Sequence, residues 1–252
     1  MNITTRAWIL WAKPVREYDS LVCAYSQQVG KIKAIAQGTR KMNSKLRSLL
    51  IPFSNVEISL VRKENRELAR VIGGKLCVSY PELYNDFEKT TAAHWVSEIM
   101  DRLTPLEQVA HNKYDLVGKT FEFIAHVGNT RALQIIFGLR LIDLTGHRLI
   151  LNHCSDCEAP PLEAQTIWLS QTGLICPMCR LRTHGIYSLD KHSFQALCKY
   201  QESPWSLAEY SPNSVELHAL EGFVQFLIRH YTAQPIRSDT FRKKTEVHEL
   251  AQ

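Results

Sequence analysis

Near residue 80 the spacing of apolar residues changes from every second position to a helical repeat, and this constrains the fold more than any other feature of the chain. Before that point the segments alternate. Residues 5–12 are rich in β-formers, residues 20–28 mix apolar with small polar side chains, and Val29-Gly30-Lys31 offers a tight turn. Residues 31–36 then set charged or small residues against Ile32 and Ile35, residues 56–61 alternate again, and residues 67–72 supply a fifth strand. Five short strands without a strong helix predict a small closed barrel, and an OB or an SH3-like arrangement would satisfy the same string.

From Pro81 onward the pattern is helical. Residues 88–103 place Thr91, Trp95, Ile99 and Leu103 on one stripe. Residues 106–127, after the start signal of Pro105, repeat the pattern with Val109, Leu116, Phe123 and Ile124. Asn129 or Thr130 can cap a third helix that reaches Leu144 and stops at Gly146. The pattern lapses over residues 147–188, then resumes over 188–200 and 213–231, where Pro235 ends it before a short charged tail with Arg237, Arg242, Lys243 and Lys244. Amphipathic faces of this kind seek one another, which predicts a helical bundle. The chain therefore reads as an α+β multidomain protein. A barrel at 1–80 precedes a helical domain at 81–252, and a cysteine-bearing insertion lies at about 147–187.

Charge divides at the same boundary. Residues 1–80 carry fourteen Lys and Arg against five Asp and Glu, and the remainder carries sixteen against twenty. A basic barrel suits a polyanion, and a near-neutral remainder suits scaffolding or protein contacts. Within the barrel, Lys31, Lys33, Arg40, Lys41, Lys45 and Arg47 follow one another without an intervening acid, and Lys13 and Arg16 can extend the group. Cations without acids gather phosphates and release counterions, so they predict sequence-independent nucleic-acid binding that weakens with salt. Trp8 and Trp11, three apart, would face opposite sides of a strand, so at most one is expected to be exposed.

Cys154-x2-Cys157 and Cys176-x2-Cys179 are separated by eighteen residues. A two-residue gap brings both sulfurs of a knuckle to one ion, and two knuckles make the tetrahedral shell that Zn²⁺ favours. Two disulfides are the other reading of four such cysteines. The odd total of seven and the lack of a basic start followed by an apolar run after Met1 favour thiols and metal in a cytoplasmic setting. One structural Zn²⁺ on Cys154, Cys157, Cys176 and Cys179 is expected, with His153 and His184 outside its shell. Cys23, Cys77 and Cys198 are expected as small core residues. A four-thiolate shell has no open position for water, so it stabilises and does not catalyse. A zinc deaminase would need an upstream His-x-Glu and a Pro before the first cysteine of the knuckle, and neither is present.

The run from Gly30 to Ser44 (GKIKAIAQGTRKMNS) with Leu50-Ile51-Pro52-Phe53 resembles the barrel signature of the RecO family. Arg16-Glu17-Tyr18-Asp19-Ser20-Leu21, the stretch from Phe137 to Gly146, and Gln234-Pro235-Ile236-Arg237-Ser238 resemble further segments of that family in the same order. Gln37 stands where a Lys is common, and Thr39 where a small apolar residue is usual. The resemblance implies an OB-fold, a helical domain with an inserted four-cysteine zinc finger, and no enzymatic activity. It also implies a mediator of recombinational repair that binds single- and double-stranded DNA, anneals complementary strands and assists RecA on DNA coated by single-strand binding protein. Implied partners are RecR and the acidic C-terminal tail of single-strand binding protein, with RecA acting indirectly. The implied location is the cytoplasm, at the nucleoid. For the tail, an apolar pocket rimmed by cations on the helical domain is expected, with Arg140 as a candidate. An RNA-binding accessory protein of translation or RNA processing would also combine an OB barrel with a zinc ribbon.

Overall fold

The computed structural model describes residues 2–62, 68–126, 129–161, 164–202 and 214–232, together with Ile236 and Ser238. Glu67, Pro235, Arg237 and the charged tail lie outside the described residues. Two compact units form, Met1–Gly128 and Asn129–Arg237, with Ser238 belonging to the first. The change from strand to helix comes at residue 80, whereas the units part after residue 128.

In the first unit the alternating segments become β1 (Asn2–Pro14), β2 (Ser20–Ser26), β3 (Gly30–Ala36), β4 (Asn55–Val61) and β5 (Ala69–Val78). They close a barrel in the order β1-β2-β3-β5-β4, the OB-type arrangement. Closure is made by the parallel pairing of Ala34, Ile35 and Ala36 with Ala69, Arg70 and Val71. Ile9, Val22, Ala34, Ile58 and Val71 fill the interior. The fifth strand outruns its predicted end at residue 72 because Gly73 and Gly74 continue it. At Gly74 the partner backbone is so close that a Cβ would lie 2.5 Å from the Glu57 carbonyl oxygen.

The outer face of β1, β2 and β3 is covered by α2 (Phe87–Leu103) and α3 (His111–His126), which follow the short α1 (Glu82–Asn85). The Asp86 carboxylate accepts the Lys89 N–H at 2.9 Å and caps α2. A register shift in β1 between Ile9 and Trp11 turns both indoles outward, so the expected opposition of Trp8 and Trp11 is not realised. Trp8 packs on Tyr114 and Phe121 of α3, where Gly118 allows the approach: a Cβ there would lie 2.7 Å from the indole. The helix predicted from residue 106 begins at His111 instead. Its leading segment runs beside β3, with the Glu107 N–H donating to the Lys31 carbonyl at 2.9 Å. Gly30 has φ +78°, and a Cβ there would lie 2.0 Å from the Gln108 carbonyl oxygen.

One carboxylate ties this face together. Asp101 of α2 accepts from the Trp11 indole at 2.8 Å and pairs with Lys31 Nζ at 3.2 Å and Lys33 Nζ at 3.8 Å. The Lys31 ammonium also donates to the Asp101 backbone carbonyl, and the buried Cys23 thiol lies 3.6 Å from the same carboxylate. Burial pushes the Asp101 carboxyl up, but the indole N–H and the two ammonium groups outweigh it and hold it below its ordinary value.

The second unit centres on α4 (Thr130–Leu144), which is buried nearly all round and packs on α6 (Lys191–Glu202) and α7 (Ser214–Thr232). The Asn129 side chain caps α4 at the Ala132 N–H. Between α4 and α6 in chain order come the strands of a small sheet ordered β7-β6-β8, made of β6 (Thr166–Ser170), β7 (Gly173–Ile175) and β8 (Tyr187–Asp190), with α5 (Pro177–Arg180) after β7. The helix predicted from residue 188 starts at Lys191 because Asp190 ends a strand and caps the helix, accepting from the Ser193 N–H at 3.1 Å and the Ser193 hydroxyl at 2.6 Å.

Asp101→Asn leaves Lys31 buried without its counter-charge and should lower the free energy of unfolding by about 3 kcal/mol at neutral pH. A carboxyl whose folded pKa is depressed contributes fully above its unfolded value of about 3.9, and the contribution is lost as pH falls through the folded value. Denaturant unfolding should therefore show the gap between wild type and variant closing below about pH 4.

Candidate nucleic-acid interface and metal centre

The loop after β1 and the long loop after β3 meet at one end of the barrel. Asp19 accepts the Gly38 N–H on its side chain at 2.9 Å, where φ is +66°. The Arg40 N–H donates to the Tyr18 carbonyl at 3.2 Å, and its guanidinium donates to the Glu17 carbonyl at 3.2 Å. The Ser20 and Thr39 hydroxyls bond each other at 2.8 Å, both buried. The loop then proceeds by turns, with the Ser44 N–H on the Lys41 carbonyl and the Arg47 N–H on the Ser44 carbonyl. Leu50 returns it to the barrel interior.

This arrangement leaves Lys13, Arg16, Arg40, Lys41, Lys45 and Arg47 exposed. Arg16 has Asp19 at 3.9 Å, and among the described residues no carboxylate pairs with the other five. Lys13 lies 4.7 Å from the centre of the Trp11 ring, and Lys41 lies 5.7 Å from that of Tyr18. Between the two loops a cleft of about 380 Å³ is lined by Ala12, Pro14, Ser20, Thr39, Arg40, Arg47 and Leu50.

Two of the expected cations are placed elsewhere. Lys31 is only 6% exposed and is committed to Asp101 on the helix-covered face, so it is not available at an open surface. Lys33 shares that carboxylate and keeps its side chain about a third exposed, at 33%. The run of cations without an acid in sequence is thus opposed in space by an acid seventy residues further along. Two neighbours are not among the binding residues expected from the sequence. Tyr18 is 47% exposed at the loop tip beside Lys41. Arg70, exposed on β5, donates to the Gln37 side-chain oxygen at 3.3 Å and sets a cation beside Gln37. The available signal for Tyr18 is an aromatic at a polar turn between strands. Arg70 has none, because the parallel pairing of β3 and β5 is not local in sequence.

In the second unit the sulfurs of Cys154, Cys157, Cys176 and Cys179 all lie within 4.8 Å of one another. Cys157 and Cys176 are 3.7 Å apart, far beyond a disulfide bond of about 2.05 Å. A tetrahedral ion with bonds of about 2.3 Å requires sulfurs about 3.8 Å apart, so the cluster fits one such ion. The first knuckle is shaped by the Cys154 N–H on the Ala159 carbonyl and by Glu158 at φ +60°. In the second, Cys176 caps α5, its sulfur accepting the Cys179 N–H at 3.4 Å. The Cys176 N–H in turn donates to the Cys154 sulfur at 3.3 Å. Burial raises the Cys154 thiol, but the N–H groups of Cys176, Asp156 and Cys157 outweigh it and bring it down to about 6, which favours a thiolate ligand. His153 is half-buried and His184 exposed, and neither belongs to the cluster. Cys23 is buried as expected and Cys198 is half-buried, whereas Cys77 is exposed near the end of β5.

Arg140 of α4 pairs with Asp143 at 3.8 Å and is 30% exposed. Among the described residues no helix is long and apolar enough to cross a membrane.

Comparison with known proteins covers both halves of the chain. Residues 1–80 match the family described as Recombination protein O N terminal, and residues 84–240 match Recombination protein O C terminal. A DNA repair protein RecO of Desulforamulus reducens is 26% identical over 93% of this chain and 91% of its own length. Those of Clostridium perfringens and Syntrophomonas wolfei are 30% and 29% identical, over 75% and 77% of this chain and 76% of each relative. The expectation of a non-enzymatic protein rests on this kinship. With an OB-type barrel, a helical unit holding four clustered cysteines, and both family regions matched in order, the chain belongs to the RecO family of DNA-repair proteins.

Proposed function

We propose that this protein mediates recombinational repair by binding single- and double-stranded DNA on the loop end of its barrel, annealing complementary strands, and helping RecA onto DNA coated by single-strand binding protein. The observation that carries the reading is the group of exposed cations at the end of β1 and on the two joined loops, five of them without a carboxylate partner among the described residues. Lys13, Arg16, Arg40, Lys41, Lys45 and Arg47 form the proposed interface, with Lys33 at its edge and Lys31 left out because Asp101 holds it. Cations on two strands would neutralise phosphates, reduce the repulsion between the strands and leave the base edges free to pair. Tyr18 adds a face on which a base can stack. Kinship with DNA-repair proteins favours DNA over RNA as the polyanion.

The four cysteines hold one structural Zn²⁺ in this reading, a closed shell that keeps the small sheet of the second unit in place. RecR and the acidic tail of single-strand binding protein are the proposed protein partners. The proposed site of action is the cytoplasm, at the nucleoid. Arg140 is a poor anchor for the tail because Asp143 already engages it.

Mixing the protein with complementary strands coated by single-strand binding protein should produce duplex without ATP, and failure to pair them would reject the annealing role. Replacing Arg40 and Lys41 together with Ala should reduce the slope of log affinity against log salt on single strands by about 0.7 to 1.4. An unchanged slope would remove these residues from the interface. Metal analysis should find one zinc per chain. In the cobalt-loaded protein the sulfur-to-metal charge-transfer bands should weaken with Cys157→Ser, which leaves three thiolates.

A further inference from the structure

The cations of the loop end are not equivalent. Arg40 and Arg47 line the cleft, whereas Lys41 and Lys45 are not among its lining residues. The guanidinium is a planar fork suited to the two free oxygens of a phosphodiester, while an ammonium acts as a point charge. Arg40 is also positioned in advance, by its N–H on the Tyr18 carbonyl and its guanidinium on the Glu17 carbonyl. This lowers the ordering cost of binding. The floor offers little to a base. The Ser20 and Thr39 hydroxyls are bonded to each other, and the remaining lining residues, Ala12, Pro14 and Leu50, are aliphatic with no aromatic among them. The volume of about 380 Å³ lies near the lower end of ligand-sized sites, which run from about 300 to 1,000 Å³.

We infer that this cleft seats one backbone phosphate, gripped jointly by Arg40 and Arg47, with the attached sugar against Pro14 and Leu50 and the base outside. The inference rests on the reading of the loop end as a nucleic-acid surface and adds a fixed point to it. Lys41, Lys45 and Lys13 collect charge along the strand, while the cleft sets its register on the barrel. A base turned outward is the disposition that annealing requires.

The test is the salt dependence of binding to an oligothymidylate and to an abasic oligomer of the same length. Two arginines on one phosphate count as one contact, so Arg40→Ala with Arg47→Ala should lower the slope by about 0.7, whereas Lys41→Ala with Lys45→Ala should lower it by about 1.4. Ala12→Leu, which narrows the cleft and keeps every charge, should weaken both oligomers and also lower the slope by about 0.7. The abasic oligomer should respond to all these variants as the thymidylate does. A loss of about 1.4 for the arginine pair means two separate phosphates and overturns the shared grip. An abasic oligomer indifferent to the arginine pair overturns the seating of backbone rather than base. Should Ala12→Leu fail to fold, the exposed arginine pair decides alone. If the lysine pair also leaves the slope unchanged, the nucleic-acid reading of the whole surface fails, a different outcome from failure of the cleft.

Discussion

The first unit depends on a carboxylate set under three strands. Asp101 draws together the Trp11 indole and the ammonium groups of Lys31 and Lys33, and so fastens α2 to the outer face of the barrel. Buried charge is costly unless paired, and here the pairing is with groups that only a correctly registered β1 and β3 can present. The register shift after Ile9 is part of this arrangement, because without it Trp11 would point into the barrel. The same ion cluster decides which cations remain for other work. It consumes Lys31, half-consumes Lys33, and leaves five of the six cations at the loop end without a carboxylate partner among the described residues.

That division gives the barrel two sides. One is packed against α2 and α3 and is rich in aromatic contacts. The other end is built from two loops held by backbone and hydroxyl hydrogen bonds, with its arginines and lysines directed to solvent. Loops carry binding function when a rigid scaffold positions them, and here the hydrogen bond that Asp19 accepts and those made by Ser20 and Arg40 supply the positioning. In the second unit the metal proposed for the cysteine cluster would do comparable work. A three-stranded sheet is a small element with little core of its own, and a tetrahedral ion on two knuckles would give it a cross-link that its hydrophobic contacts do not provide.

Much of this was legible in the sequence, for identifiable reasons. Alternation around Ile32 and Ile58, the helical stripe through Trp95 and Ile99, and the cap and stop at Asn129 and Gly146 are local signals, and the structure follows them. The spacing of the four cysteines is also local, and the sulfurs do converge. What was not legible involves partners distant in sequence. Leu106 reads as the start of a helix, but the backbone of Lys31 and the open space over Gly30 draw that segment alongside β3. Gly73 and Gly74 read as the end of a strand, yet the strand runs on through them, and at Gly74 the backbone of β4 passes too close for a side chain. Lys31 and Arg70 exchange roles in the same way. A cation in an acid-free run is buried by Asp101, and one outside the run is brought beside Gln37 by the parallel closure of the barrel.

Which lysines would meet the proposed polyanion is therefore decisive. Amine-labelling of the folded protein, read residue by residue by mass spectrometry with and without oligothymidylate, asks this directly. Lys13, Lys41 and Lys45 should label readily in the free protein and lose that reactivity with the oligomer bound, while Lys31 should stay unlabelled in both states. Ready labelling of Lys31, or protection by the oligomer that spares Lys41 and Lys45, would contradict the account.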